Sequence, residues 1–123
     1  MARSGATAQS LYTRLGGYDV IAAFVDNWLA LMAPHPRLGR RLRTMSVDET
    51  QAARQLLVDC IAERAGGPVV YTGPPVGELR RRLGVAIDDP AVLTSADAAL
   101  VPLGVATDAR DGLLAFVAGP GAR

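Results

Sequence analysis

A chain of 123 residues, 50% hydrophobic and 20% charged, has the length and composition of one packed globular domain and leaves no room for a second. Thirteen basic against twelve acidic residues give a formal net charge of +1, which supplies no global field for nucleic acid or an anionic membrane. One cysteine and one histidine exclude a disulfide framework and a zinc site of the Cys/His type. Every basic residue is arginine, so lysine nucleophiles and Schiff bases are excluded as well.

Turn signals cut the chain into short helical pieces with almost no alternating pattern, which predicts an all-α domain over residues 1–123. Leu11 to Leu15 begins a brief helix that Gly16-Gly17 closes. Asp19 is expected to cap the next helix, whose positions Val20, Ile21, Phe24, Val25, Trp28, Leu29 and Met32 repeat as one buried face. Pro34 and Pro36 are expected to stop it. Ser46 followed by Glu49 is the pattern of a reciprocal capping box and predicts a third helix, with Ala53, Leu56, Leu57, Cys60 and Ile61 as its inner stripe and Gly66-Gly67-Pro68 as its stop.

An irregular link from Val69 to Pro74 follows. Pro75 suits a first helical position, and Val76, Leu79 and Leu83 place a short fourth helix against the core. Asp88 or Asp89 is expected to cap a helix running to Leu103, and Thr107 or Asp108 a last one through Leu113, Leu114, Phe116 and Val117. Residues 1–8 and the tail from Gly119 to Arg123 are expected to fray. Met1 to Ser10 lacks the apolar core of a signal peptide and no later stretch is long enough to span a bilayer, which makes the cytoplasm the expected compartment.

Three patches in order resemble a group 1 truncated hemoglobin. They are Leu11-Tyr12-Thr13-Arg14-Leu15-Gly16-Gly17 with the helix ending in His35-Pro36-Arg37-Leu38, then Gly66-Gly67-Pro68 continuing through Tyr71-Thr72-Gly73, and Leu83-Gly84-Val85 with the later Gly104-Val105 turn. The resemblance implies a shortened globin fold, a two-over-two helical sandwich. Members of that family hold heme between the third helix and the short fourth one, where it binds or turns over oxygen and nitric oxide.

Against that pattern the resemblance puts Arg80 at the position of the iron-binding proximal histidine, and arginine has no free lone pair to offer a metal. Leu29 stands where the family carries its distal tyrosine and Leu42 near its heme-stacking phenylalanine. Gln51 and Gln55 correspond to the family's distal glutamines. An apolar cavity that loses its prosthetic group must collapse or hold something else, since empty volume costs roughly 24 cal/mol per Å³. With only two Phe, one Trp and three Tyr to fill it, the expected outcome is a retained pocket lined by Phe24, Trp28, Leu29, Leu42, Leu56, Cys60, Tyr71, Val76, Leu79, Arg80 and Leu83. It suits a small or planar organic ligand carrying an acidic group.

The bland readings run alongside. His35, in a Pro-bracketed corner, is expected to stabilise that corner rather than ligate. Cys60 reads as a packing residue, and Tyr71 as an anchor of the link. Arg80, Arg81 and Arg82 with Arg40, Arg41 and Arg43 form either a basic rim or a solvated face, and Asp59 with Glu63 and Glu78 with Arg82 are expected on the solvent side.

Four functions follow. The first is a heme-free binder of a small-molecule ligand, with no nucleic-acid or membrane partner, as a monomer or homodimer. The second is a hemoprotein using Cys60, His35, Tyr71 or Met45 as axial ligand. The third is an enzyme with Arg80 as electrostatic clamp and unassigned catalytic residues. The fourth is a dimerising or regulatory module.

Overall fold

In a computed structural model of the chain, residues 9–83 and 90–118 are described, and of Val76, Arg80, Leu83 and Ala118 only the backbone. Among the described residues every regular element is helical. The elements are α1 (Leu11–Leu15), α2 (Tyr18–Met32), α3 (Pro36–Thr44), α4 (Val47–Arg64), α5 (Val76–Leu83), α6 (Pro90–Leu100), a 3-10 turn (Val101–Leu103) and α7 (Thr107–Ala118). The two expected frayed tails, the Asp88 or Asp89 cap and the Gly84-Val85 pair lie outside the described residues.

The core sits where α2 meets α4 on one side and α6 on the other, with α7 closing over α6. Ile21, Phe24, Val25 and Met32 of α2 are fully buried, as the periodicity requires. They meet Val58 and Ile61 of α4, and Val92, Ala96 and Leu100 of α6. Phe24 stacks on Trp28 with ring centroids 5.5 Å apart. Trp28 resolves the problem of a half-buried indole by donating its N–H to the Val92 carbonyl at 3.3 Å, and Asn27 donates to Ala99 at 3.2 Å, so two polar groups of α2 fix its register on α6. Burying a side chain the size of Phe24 contributes about 1.5–3 kcal/mol.

The helix boundaries follow from identifiable caps. Gly16, at φ +112°, is the left-handed residue that ends α1. The N-cap of α2 is Gly17 with no side-chain bond, and Asp19 lies inside the first turn, where its charge meets the positive end of the helix rather than capping it. Ser46 and Glu49 make the reciprocal capping box of α4, at 3.1 and 2.8 Å. Pro75 sits one residue earlier than a first helical position, since its carbonyl accepts from the Leu79 amide at 3.0 Å. Thr107 and Asp108 both lie inside α7, whose first bond runs from the Arg110 amide to the Ala106 carbonyl at 2.9 Å. The helix expected to reach Leu103 ends at Leu100 and tightens into the 3-10 turn, because Pro102 lacks the N–H that would continue it.

The largest departure is α3. Pro36 does not merely end α2, which has already stopped at Met32; it opens a further helix of nine residues. His35 is the N-cap, its Nδ1 accepting from the amides of Arg37 and Leu38 at 3.2 and 3.3 Å. Proline in the first turn loses nothing, because that N–H has no intrahelical partner. The reading of His35 as a corner residue therefore has a specific geometry.

The first two patches of resemblance touch one another. The Tyr12 amide donates to the Ala65 carbonyl at 2.8 Å, and the Tyr12 ring lies so close to Gly67 that a Cβ there would fall 2.3 Å from Cδ1. Arg14 reaches Asp108 of α7 at 2.7 Å. Thus α1 ties the end of α4 to α7, and the glycine pair after α4 both ends the helix and admits the tyrosine ring.

Candidate functional site

Three helices frame a half-open cleft of about 270 Å³: the C-terminal end of α3, the first half of α4 and the inner side of α5. Its apolar floor is Leu79, which is buried, with Leu56, Ala53 and Met45, which are half-buried; Arg41, Arg82 and Glu49 stand at its rim. Ala53 and Leu56 of the stripe expected of α4 are half-buried against the core and also border the cleft. The stripe becomes fully buried at Leu57, Val58, Cys60, Ile61 and Ala62.

The rim is held by a small set of bonds. Arg41 donates its Nε–H to the carbonyl oxygen of Arg82 at 2.7 Å and so links α3 to α5. Arg82 pairs with Glu78 one turn earlier at 2.6 Å. Glu49 accepts from the Ser46 amide, and this bond, assisted by the charge of Arg41, holds its carboxyl below the usual carboxylate range. Arg37, Arg40, Arg43 and Arg81 are exposed.

Of the eleven pocket residues expected from sequence, Leu56 and Leu79 line this cleft. Phe24 is fully buried in the core, and Trp28, Leu29 and Leu42 are half-buried against it. Cys60 is 3% exposed, on the packed side of α4. Tyr71 anchors the link after α4: its hydroxyl donates to the Pro74 carbonyl and its amide donates to Glu63 at 3.0 Å. The side chains of Val76, Arg80 and Leu83 lie outside the described residues.

Six further residues outside the expected eleven line it: Arg41, Met45, Glu49, Ala52, Ala53 and Arg82. Their signal was available for Arg41 and Arg82, which belong to the two arginine groups read as a possible basic rim. It was unavailable for Glu49, whose capping role gives no hint that a cleft lies beside it.

A second polar group lies away from the cleft, between α2 and α4. Tyr18 donates its hydroxyl proton to Asp59 at 2.9 Å, and Gln55 donates to both. Burial, with the Asp59 bond second, pushes the Tyr18 phenol up. Asp59 is therefore half-buried and bonded rather than solvated, and Gln55 is engaged with this pair; Gln51 is exposed. Among the described residues no group of three or more His, Cys, Asp and Glu side chains gathers as a metal site would require, and no helix is long and apolar enough to cross a membrane.

Compared with known proteins, the chain matches no protein-family model and no curated protein.

Proposed function

We propose that the chain is a heme-free, truncated-hemoglobin-like two-over-two helical sandwich whose cleft between α3, α4 and α5 binds a small organic molecule carrying a carboxylate. The observation that carries this reading is the cleft itself, an apolar floor of Leu79, Leu56 and Met45 beneath two arginines. It lies between the capping-box helix and the short helix after the Tyr71 link, the pair between which the resemblance implies a ligand. Apolar pockets with a few convergent polar groups are the usual form of small-molecule sites.

Among the described residues, the cleft and the candidate axial ligands favour a ligand smaller than heme. A cleft of about 270 Å³ falls below the range of about 300–1,000 Å³ that drug-sized ligands occupy, and heme is larger than most of those. Of the four candidate axial ligands, His35 uses its Nδ1 to cap α3, Tyr71 is bonded to Pro74 and Cys60 faces the packed core. Met45 alone lines the cleft, and a lone thioether is a weak axial ligand.

The test has two parts. Protein expressed with added heme precursor is expected to show no heme absorption band, reduced or with carbon monoxide, and no stoichiometric iron. The same protein is expected to bind 3-phenylpropanoate in calorimetry, and Arg41→Gln to weaken that binding. A heme band at one iron per chain that Met45→Ala removes would replace this reading with that of an unusual hemoprotein.

A further inference from the structure

The rim of the cleft carries both signs of charge. We infer that the ligand is a zwitterion, an apolar α-amino acid whose carboxylate meets Arg41, whose ammonium meets Glu49 and whose side chain lies on Leu56 and Leu79. This rests on the cleft being a ligand site and names the class of ligand it takes.

Arg41 is the cation best prepared for a carboxylate. Its Nε–H is committed to the Arg82 carbonyl at 2.7 Å, which fixes the plane of the guanidinium while its two terminal nitrogens remain as a fork matching two carboxylate oxygens. Arg82 is less suited, because Glu78 at 2.6 Å already balances its charge. Glu49 uses Oε1 to accept from the Ser46 amide at 2.8 Å, and its other oxygen has acceptor capacity for an ammonium. The bond to Ser46 and the neighbouring Arg41 keep that carboxyl ionised at neutral pH.

A simple monoanion placed against Arg41 would gain one attraction and incur a repulsion from Glu49. A simple cation would meet the reverse. A molecule with carboxylate and ammonium on one carbon satisfies both sides at once, and its side chain enters the floor. An apolar cavity of about 150 Å³ holds benzene, so about 270 Å³ has room for a benzyl or isobutyl side chain together with the amino-acid head.

The experiment compares three ligands of one carbon skeleton on the full chain by isothermal titration calorimetry: L-phenylalanine, 3-phenylpropanoate without the ammonium, and 2-phenylethylamine without the carboxylate. L-Phenylalanine is expected to bind tightest, by about five-fold over 3-phenylpropanoate, the upper range for a solvent-exposed ion pair. Glu49→Gln keeps the capping box, since glutamine accepts the same backbone bond, and is expected to abolish that preference while leaving 3-phenylpropanoate binding intact or stronger. Arg41→Gln is expected to weaken L-phenylalanine and 3-phenylpropanoate alike. If 3-phenylpropanoate binds as well as L-phenylalanine to the unaltered chain, the zwitterion inference fails and the carboxylate site stands. If a preference for L-phenylalanine survives Glu49→Gln unchanged, the ammonium contact is not Glu49 and the inference fails as stated. If none of the three binds, the cleft is not such a ligand site and both readings fall.

Discussion

Replacing Gly39 with alanine should destabilise the protein although it improves helix propensity. Gly39 is buried inside α3, and its amide donates to the His35 carbonyl at 2.8 Å. A Cβ at this position would lie 2.0 Å from the carbonyl oxygen of Ala33 and 3.1 Å from its carbon. Both atoms are backbone of the corner between α2 and α3, so no side-chain rotation relieves the clash and α3 must tip away from the end of α2. Propensity favours alanine by about 1 kcal/mol, whereas forcing extra volume into a packed site costs about 1–3 kcal/mol and more when backbone must move. The net expectation is a loss of about 1–2 kcal/mol, or a melting temperature lower by about 4 °C for each kcal/mol in a chain of this length.

Gly112 supplies the contrast. It lies within α7, and an added Cβ would meet Leu11 Cδ1 at 3.0 Å, the far end of a flexible side chain. Gly112→Ala is therefore expected to leave stability unchanged or raise it by up to about 0.5 kcal/mol, most of the propensity gain being offset by moving Leu11. Urea denaturation monitored by circular dichroism measures both variants. Because α3 carries Arg41, Gly39→Ala should also weaken 3-phenylpropanoate binding, which Gly112→Ala should not. A Gly39→Ala protein as stable as the unaltered chain would refute the close packing of α3 on the corner, and with it the account of how Arg41 is positioned.

Other consequences are testable with ordinary means. Ser46→Ala removes the N-cap of α4 and should cost about 1 kcal/mol in chemical denaturation, whereas Glu49→Gln should stay within about 0.5 kcal/mol of the unaltered chain. The Arg54 hydrogen bond and then its charge, working against burial, hold the Asp26 carboxyl below its usual value, so the stability this pair contributes is present above the ordinary aspartate range and lost as pH falls through the depressed value. Because the Asp26 side chain is 55% exposed, the coupling in a double-mutant cycle should not exceed about 1 kcal/mol, and carboxyl NMR titration should show Asp26 returning toward its ordinary value in Arg54→Met. The Cys60 thiol, buried at 3% exposure, should react with a disulfide reagent only as fast as the protein opens, so that its labelling rate rises with urea in step with unfolding.

The elements legible in the sequence were those with a local cause. The 3–4 spacing from Val20 to Met32 specifies one buried face whatever the partner, and the Ser46 to Glu49 box closes on itself without any tertiary contact. What was not legible depended on partners distant in the chain. Proline is ambiguous in the sequence because it both stops and starts helices, and at Pro36 the outcome turned on whether His35 could cap. The stripe of α4 was read correctly at Leu57, Cys60 and Ile61. Leu56 and Ala53 also pack against the core but remain half-buried, because they border the space between α3, α5 and the first half of α4, and no periodicity reports the absence of a neighbour. Phe24 and Trp28 show the converse. Periodicity set them on a buried face and the resemblance set them in a pocket, and the structure has them stacked together at the core with Val92.

Net charge misled in a related way. A total of +1 describes the chain as nearly neutral, yet seven of its thirteen arginines fall on α3 and α5 against the single acid Glu78, while the other six arginines and eleven acids, Glu49 among them, belong to the rest of the chain. α3 and α5 are in contact, and of their arginines Arg41 and Arg82 stand at the cleft. At physiological ionic strength a field decays over about 8 Å, so a ligand at the rim feels Arg41, Arg82 and the acids beside them, Glu49 and Glu78, far more than the charges of the other helices. Such a field attracts any carboxylate, but attraction alone would make the site indiscriminate. Discrimination needs a group of the other sign at the point of contact, and Glu49 is the one acid that lines the cleft. It is exposed and ionised at neutral pH like any glutamate, and the Ser46 N–H at the helix start lowers its pKa further. The residue that completes the capping box of α4 is thereby also the residue able to distinguish an amino acid from a simple acid, and one charge serves both the fold and the site.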